Sequence, residues 1–499
     1  MNEAIPSGGD NAAQSDDHLV AYLPDLLYTE DRFARGLGVV CDRVGRIVEI
    51  TANIERVPNV VRLSGQAILP GMTNAHSHAF QRVIRGRTEM RTSTGAMGDN
   101  FWTWRTAMYE AANRLSPEDI YDASRMAFLE MALSGITSVG EFHYLHRTPE
   151  GAPYDDPNLL AKEVVRAARD VGIRIALLRT AYARNNFRRP SAYLYQSRFT
   201  EPEPDIFIGH TEALRRYLLR EDANGMAWLG VAPHSVRAVP LDYLREVFAY
   251  ANEHELPIHM HVAEQPAEVD ECIAEHGRAP IALLDFEELL NERTTCVHAI
   301  HITQDEANQL GWAKASICAC PTTERNLGDG IVLADLLLKH DIPIALGTDS
   351  HAQIDLLEDA REIEYHLRLQ KLERAVLRAR RVQTSSQNST YDAASDLSGL
   401  ARTLFHCATT SGARSIGASG GALDVGSPAD FFSVDLNDVS IAGAGAEDLL
   451  AAIVFTLSRA AVRSVVVGGN CIVRDGKHPA QEEIISRFCA LQNKLWRKI

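Results

Sequence analysis

Eight short apolar runs, most of them rich in β-branched residues, recur along the middle of the chain, and a helical pattern separates each from the next. They are ILPGMTNAHSH (68 to 78), TSVGEFHYL (137 to 145), IRIALLRTAYA (173 to 183), AWLGVAPHSV (227 to 236), PIHMHVAE (257 to 264), TTCVHAIHI (294 to 302), KASICACPTT (314 to 323) and PIALGTDSH (343 to 351). Several are nearly continuous in apolar residues, as strands buried on both faces must be. Strands joined through helices run parallel. The intervening helices carry their own punctuation: in SPEDIYDASRMAFLEMALSG (116 to 135), Ser116 is a fit N-cap, Pro117 suits the first helical position and Gly135 stops the run. Eight such units predict a (β/α)8 barrel.

The two ends of the chain read differently. GLGVVCDRVGRIVEI, beginning at residue 36, has two strand-like runs around Asp42 to Gly45, which suits a hairpin. Strand-rich sequence returns in ADFFSVDL (429 to 436) and VRSVVVGGNCIVRDGK (462 to 477). The expected organisation is therefore a disordered tail over 1–18, part of a small β-sandwich over 19–67, the barrel over 68–420, and the rest of the sandwich with a final helix over 421–499. The polar stretch 380–399 reads as a mobile loop between helices.

With 499 residues and 45% hydrophobic content, the chain can bury a large core. Its 66 acidic against 50 basic residues give a net charge of -16. That excludes a general binder of nucleic acid or anionic membrane, which needs excess Lys and Arg, and it obliges any anionic ligand to meet local positive charge. No stretch approaches a membrane span and the N-terminus has no signal-peptide pattern. The eight cysteines are scattered rather than arranged as a disulfide framework, so a reducing cytoplasm is expected.

In a barrel of this kind chemistry is carried at the C-terminal ends of the strands. There the sequence places His76 and His78 on the first strand, His259 and His261 on the fifth, His298 and His301 on the sixth, and Asp349 on the eighth. Residues two apart on a strand share a face, so both imidazoles of an HxH can reach one ion. A lone HxH is commonplace in loops, but four strand ends supplying ligands together are not. His259 and His301 have an equally good reading as hydrogen-bonded structural histidines. Three histidines and one aspartate describe a mononuclear site with an open position, zinc being the default and iron or manganese the alternatives. The fourth strand carries no lysine that could bridge a second ion. Glu264, three residues beyond His261, can serve as a general acid. His298 can orient the attacking water or polarise the substrate, and Asp349 can both touch the ion and accept the water's proton. Cys318 and Cys320 alternate on a buried strand and read as core.

The stretches LPGMTNAHSHAFQR (69 to 82), HVAE (261 to 264), CVHAIH (296 to 301), GTDSH (347 to 351) and LDVGSPADF (423 to 431) resemble the deaminase branch of the amidohydrolase superfamily, over nearly the whole ordered chain. Within it, FWTWR (101 to 105), SVGEFHYLH (138 to 146), APHSVR (232 to 237), HMHVAEQ (259 to 265) and CPTTERNLGDG (320 to 330) are similar to the formimidoylglutamate deiminases. The resemblance implies one divalent metal on His76, His78, His261 and Asp349, and proton handling by Glu264 and His298. It also implies substrate contacts from Gln81, Arg105, Tyr144, His234 and Arg237, a homodimer, and hydrolysis of N-formimino-L-glutamate to N-formyl-L-glutamate and ammonia. Two arginines suit a substrate with two carboxylates, since the guanidinium fork binds a carboxylate through paired hydrogen bonds. Phe101, Trp102 and Trp104 are read as packing a loop against the barrel, because a formimino group offers no aromatic face. The stretch 352–370 and the insert depart from the family pattern. The rivals are a deaminase of a formimino-aspartate, a guanidino acid or guanine, and a barrel that binds without catalysing.

Overall fold

The computed structural model describes residues 18–90, 99–185, 187, 196–222, 224–378 and 393–497. The tail reading at 1–17 and residues 380–392 of the insert lie outside the described residues. Residues 393–399, expected as loop, instead begin the helix Ala393–Ala408. Their polar context hid alanine and leucine, both strong helix formers.

Eight parallel strands lie side by side in chain order: Met72–Ser77, Ile136–His143, Arg174–Ala181, Ala227–Pro233, Ile258–Val262, Thr294–His298, Ser316–Ala319 and Ile344–Leu346. We call these barrel strands one to eight. Every residue of the first three is buried, the state that continuous apolar runs permit. The ring closes just beyond the eighth strand. Asp349 N–H donates to the His76 carbonyl at 3.0 Å, and His78 N–H donates to the Asp349 carbonyl at 3.1 Å. Below them, the Asn74 amide donates to Thr348 Oγ1 at 2.8 Å and accepts from Thr348 N–H at 3.0 Å. Closure thus runs through the residues whose side chains meet at the mouth.

The helix Pro117–Leu133 begins with a capping box in which Ser116 and Asp119 exchange hydrogen bonds, and the chain turns into strand two at Gly135, φ 86°.

Both chain ends contribute to one mixed sheet of eight strands. Its order runs Asn470–Val473, Val462–Val467, Phe431–Asp435, Asn59–Pro70, Val20–Thr29, Gly38–Cys41 and Ile47–Thr51, with Arg32–Ala34 on Val20–Thr29. The sheet has its own apolar core, including Tyr22, Leu27, Val39, Ile68, Phe431 and Val466. One strand assignment is corrected here. Residues 68–70, expected at the start of the first barrel strand, end the long sheet strand and pair with Phe431–Ser433. The apolar run continues without a break from one sheet to the other, so hydrophobicity does not mark the handover. Gly71 does: a Cβ there would lie 2.2 Å from Thr137 Oγ1.

Arg174, at the start of barrel strand three, donates to both oxygens of Asp430 at 2.7 and 3.3 Å and fastens sheet to barrel. Removing one member of such a buried pair costs about 3 to 5 kcal/mol. The final helix, Gln481–Trp496, lies against Pro117–Leu133, where Arg487 donates to Asp122 at 2.7 Å.

Candidate active site

The barrel mouth holds a cavity. His78, His261, Glu264, His298 and Asp349 line its floor, and Gln81, Arg105, Tyr144, His234 and Arg237 line its wall. His76 lies beneath, fully buried. The structure therefore brings together every residue expected to bind metal, handle protons or contact substrate, except two of the strand-end histidines. His259 and His301 stand apart: His259 Nε2 faces the Ser415 carbonyl at 2.9 Å and His301 Nε2 the Asp329 carbonyl at 2.9 Å. Both are structural histidines.

His76, His78, His261 and Asp349 converge. Nε2 of His76 is 3.2 Å from Nε2 of both His78 and His261, and Asp349 Oδ1 is 3.4 Å from His76 Nε2 and 3.2 Å from His78 Nε2. Ligands held at 2.0 to 2.1 Å around one tetrahedral ion stand about 3.3 Å from each other, so these spacings are edges of a zinc-sized cage. The far nitrogens support it. His78 Nδ1–H donates to the Phe142 carbonyl at 2.9 Å and His261 Nδ1–H to the His234 carbonyl at 3.1 Å, which leaves Nε2 with its lone pair pointing inward. Burial drives the His76 imidazole down to about 3 and that of His261 well below its usual value, so both stay neutral. Burial opposes ionisation of Asp349, but its place beside the His76 and His78 rings holds the carboxyl well below its usual range. Four buried donors of N3O type fit one divalent metal ion.

Tight backbone serves this arrangement. A Cβ on Gly347 would meet His76 Cβ at 2.7 Å. Ala263, His298, Ala299, Asp349 and His351 all take positive φ, between 43° and 71°, at the ends of strands five, six and eight. Non-glycine residues there cost about 1 kcal/mol or more each, strain that clusters at functional sites.

Glu264 Oε1 lies 3.6 Å from His298 Nε2, and Asp349 Oδ2 lies 3.9 Å from the same nitrogen. Burial raises the Glu264 carboxyl, with His298 and Arg237 acting against the rise. Burial also opposes protonation of His298, but Glu264, Glu324 and Asp349 surround it and carry it well above the ordinary imidazole value. Glu324 was not singled out from the sequence. It lies in the first turn of the short helix Pro321–Leu327 after strand seven, with Oε1 3.2 Å from His298 Nδ1 and accepting from Cys320 N–H at 2.8 Å. Its place in the first helical turn after a strand end was the available signal. Glu141 was likewise missed; it accepts from Ser77 Oγ at 2.5 Å and Ala79 N–H at 2.8 Å and so fixes the chain around His78. Cys318 and Cys320 are fully buried, as expected of core, although Cys320 Sγ also lies within 4.8 Å of ligand atoms of His298 and Asp349.

The wall carries buried positive charge. Arg105 donates to the hydroxyls of Tyr109 at 2.9 Å and Tyr182 at 2.8 Å, both neutral partners. Arg237 is 1% exposed, and its Nε and Nη1 make no hydrogen bond. Gln81 Nε2 donates to Tyr144 Oη at 2.7 Å, leaving Gln81 Oε1 unpaired. The aromatic reading is corrected here: Phe101, Trp102 and Trp104 open a helix, Phe101–Ala112, capped by Asn100, and Phe101 and Trp104 line the cavity. The side of that helix facing the mouth was invisible in sequence because residues 101–105 are nearly all large.

The barrel, the appended sheet and a His3Asp cage at the C-terminal strand ends define a metal-dependent hydrolase. The amidohydrolase family matches over residues 67–472, and the chain belongs to that family. It is 36% identical over 431 residues to the formimidoylglutamate deiminase of Pseudomonas aeruginosa, covering 86% of this chain and 90% of that protein. It is 24% identical over 446 residues to a 5-methylthioadenosine/S-adenosylhomocysteine deaminase of Pyrococcus abyssi, covering 89% and 91%. The crystal structure of an amidohydrolase from Brucella melitensis superimposes with a TM-score of 0.82 at 31% identity, covering 96% and 99%.

Proposed function

We propose that this protein hydrolyses N-formimino-L-glutamate to N-formyl-L-glutamate and ammonia. The observation that carries the reading is the pair of buried guanidiniums, Arg105 and Arg237, that face the cage across the cavity with no carboxylate hydrogen-bonded to either among the described residues. A buried cation left unpaired is costly, and a dianionic ligand would satisfy both. The likeness to the Pseudomonas aeruginosa enzyme supports the same substrate.

Arg105 and Arg237 hold one carboxylate each, and Gln81, Tyr144 and His234 add hydrogen bonds that set the formimino carbon over the floor. His76, His78, His261 and Asp349 would hold one divalent ion, zinc by preference for an N3O set. Such an ion supplies Lewis acidity and brings the pKa of water toward neutrality. Asp349 takes the proton of the attacking water, and His298, held protonated by the carboxylates around it, orients that water or polarises the substrate. Glu264, its carboxyl raised by burial, gives a proton to the departing nitrogen as the C–N bond breaks, so that ammonia leaves in place of an amide anion. All eight cysteines are free thiols, which supports a reducing, cytoplasmic setting. No helix among the described residues is long and apolar enough to cross a membrane.

Ammonia release from metal-replete protein tests the reading. N-formimino-L-glutamate should exceed N-formimino-L-aspartate by about 10 to 200-fold in kcat/KM, the range one methylene commands. Guanine and 5-methylthioadenosine should release none. Faster release from a nucleoside or base would sink the proposal. Metal analysis should find one divalent ion per chain. Stripping it should abolish turnover and remove about 4 kcal/mol of stability, relative to protein in metal at a thousandfold its Kd. An unchanged melting temperature would mean the four side chains are not ligands.

A further inference from the structure

We infer that Trp102 is a positioning residue that holds Arg105 and Arg237 as one preformed clamp for two carboxylates. The inference rests on the dicarboxylate reading of the site. The two arginines come from separate elements, Arg105 from the helix Phe101–Ala112 and Arg237 from the turn after strand four. One indole ring spans them: the Arg105 guanidinium carbon lies 5.7 Å from its centre and that of Arg237 lies 5.5 Å from it. Both distances are within reach of a cation–π attraction, which is strongest for tryptophan.

The chemistry explains why a ring stands where an acid would be expected. A carboxylate would fix a guanidinium by occupying the N–H fork that a substrate needs. An aromatic face attracts the cation through its quadrupole and leaves the in-plane donors free. Arg237 shows the result, since its Nε and Nη1 are buried and unbonded. Glu268, fully buried nearby, feels the charge of Arg237 but does not occupy its fork, for its Oε1 makes no hydrogen bond and its Oε2 accepts from Glu264 N–H at 3.2 Å. The helix start is built to place the ring. Asn100 Oδ1 accepts from Trp102 N–H at 3.0 Å, and Trp102, Arg105 and Tyr109 follow at three- and four-residue spacing on one face. The two cations would repel each other in the empty site, and one ring attractive to both offsets that repulsion before substrate arrives.

The test compares Trp102→Leu, which removes the π face and keeps apolar bulk, with Trp102→Phe, which restores a weaker face. Glutarate, a dicarboxylate without the reacting group, is titrated calorimetrically into metal-replete protein, and steady-state kinetics are run in parallel. Trp102→Leu should raise both the glutarate Kd and the KM for N-formimino-L-glutamate about tenfold, with kcat changed about twofold or less and metal content unchanged. Trp102→Phe should return both to within about threefold of the parent. Glutarate binding unaltered by Trp102→Leu, equal losses in the two variants, or a fall in kcat at constant KM would each overturn the inference. Parent protein that binds glutarate, responds to the variants, yet leaves N-formimino-L-glutamate intact would keep the clamp and refute the proposed substrate.

Discussion

Replacing Glu264 by glutamine is expected to lower kcat about a thousandfold while the protein keeps its metal and its fold, the loss typical of a removed general acid. The amide matches the carboxyl in shape, and Glu264 is not among the converging ligand atoms, so metal content should equal that of the parent. What disappears is a proton source buried at the mouth and facing His298 at 3.6 Å. The leaving nitrogen then departs without a proton, which raises the barrier by about 4 kcal/mol for that thousandfold. KM should change little, because Glu264 binds neither carboxylate. Turnover within about tenfold of the parent would remove Glu264 from this role.

Arg237→Met should lower kcat/KM for N-formimino-L-glutamate by about a hundredfold or more and at the same time leave the protein as stable or more so. The loss follows from a missing charge-assisted, two-bond contact, worth about 3 kcal/mol once desolvated. The stability follows from the free protein, where the Arg237 guanidinium is 1% exposed with two unbonded nitrogens. Methionine of similar length fills that space without a buried charge, and the neighbouring carboxyls of Glu264 and Glu268, which burial raises and Arg237 lowers, rise further in its absence rather than stay as unpaired charges. Kinetics and thermal unfolding on one preparation check both signs. A variant that loses stability would show that Arg237 holds the fold, and one that keeps kcat/KM would show that it does not meet substrate.

Much of this was legible along the chain. Parallel strands must return through helices, so the alternation of eight apolar runs with helical patterns was enough for a barrel. Metal ligands at strand ends needed only the two-residue period that put His76 and His78 on one face. Where the reading slipped, local chemistry carried no signal. Ile68, Leu69 and Pro70 are as apolar as barrel residues, and only pairing with Phe431–Ser433 assigns them to the other sheet. The aromatics Phe101, Trp102 and Trp104 gave no facing side, because a helix with large residues around most of its first turn has no readable stripe.

The sequence by itself determined the barrel, the His3Asp donor set and the candidate proton carriers, because strand periodicity and position at a strand's end are properties of neighbours in the chain. The tertiary structure decided which histidines converge on one point and which, like His259, turn away to bond a carbonyl. It placed Glu324 behind His298 and a single indole beside arginines 132 positions apart (237 − 105). It also left Arg237 buried without a hydrogen-bonding partner on two of its nitrogens. These are distances between residues remote in sequence, and closure of the ring, not any local pattern, sets them.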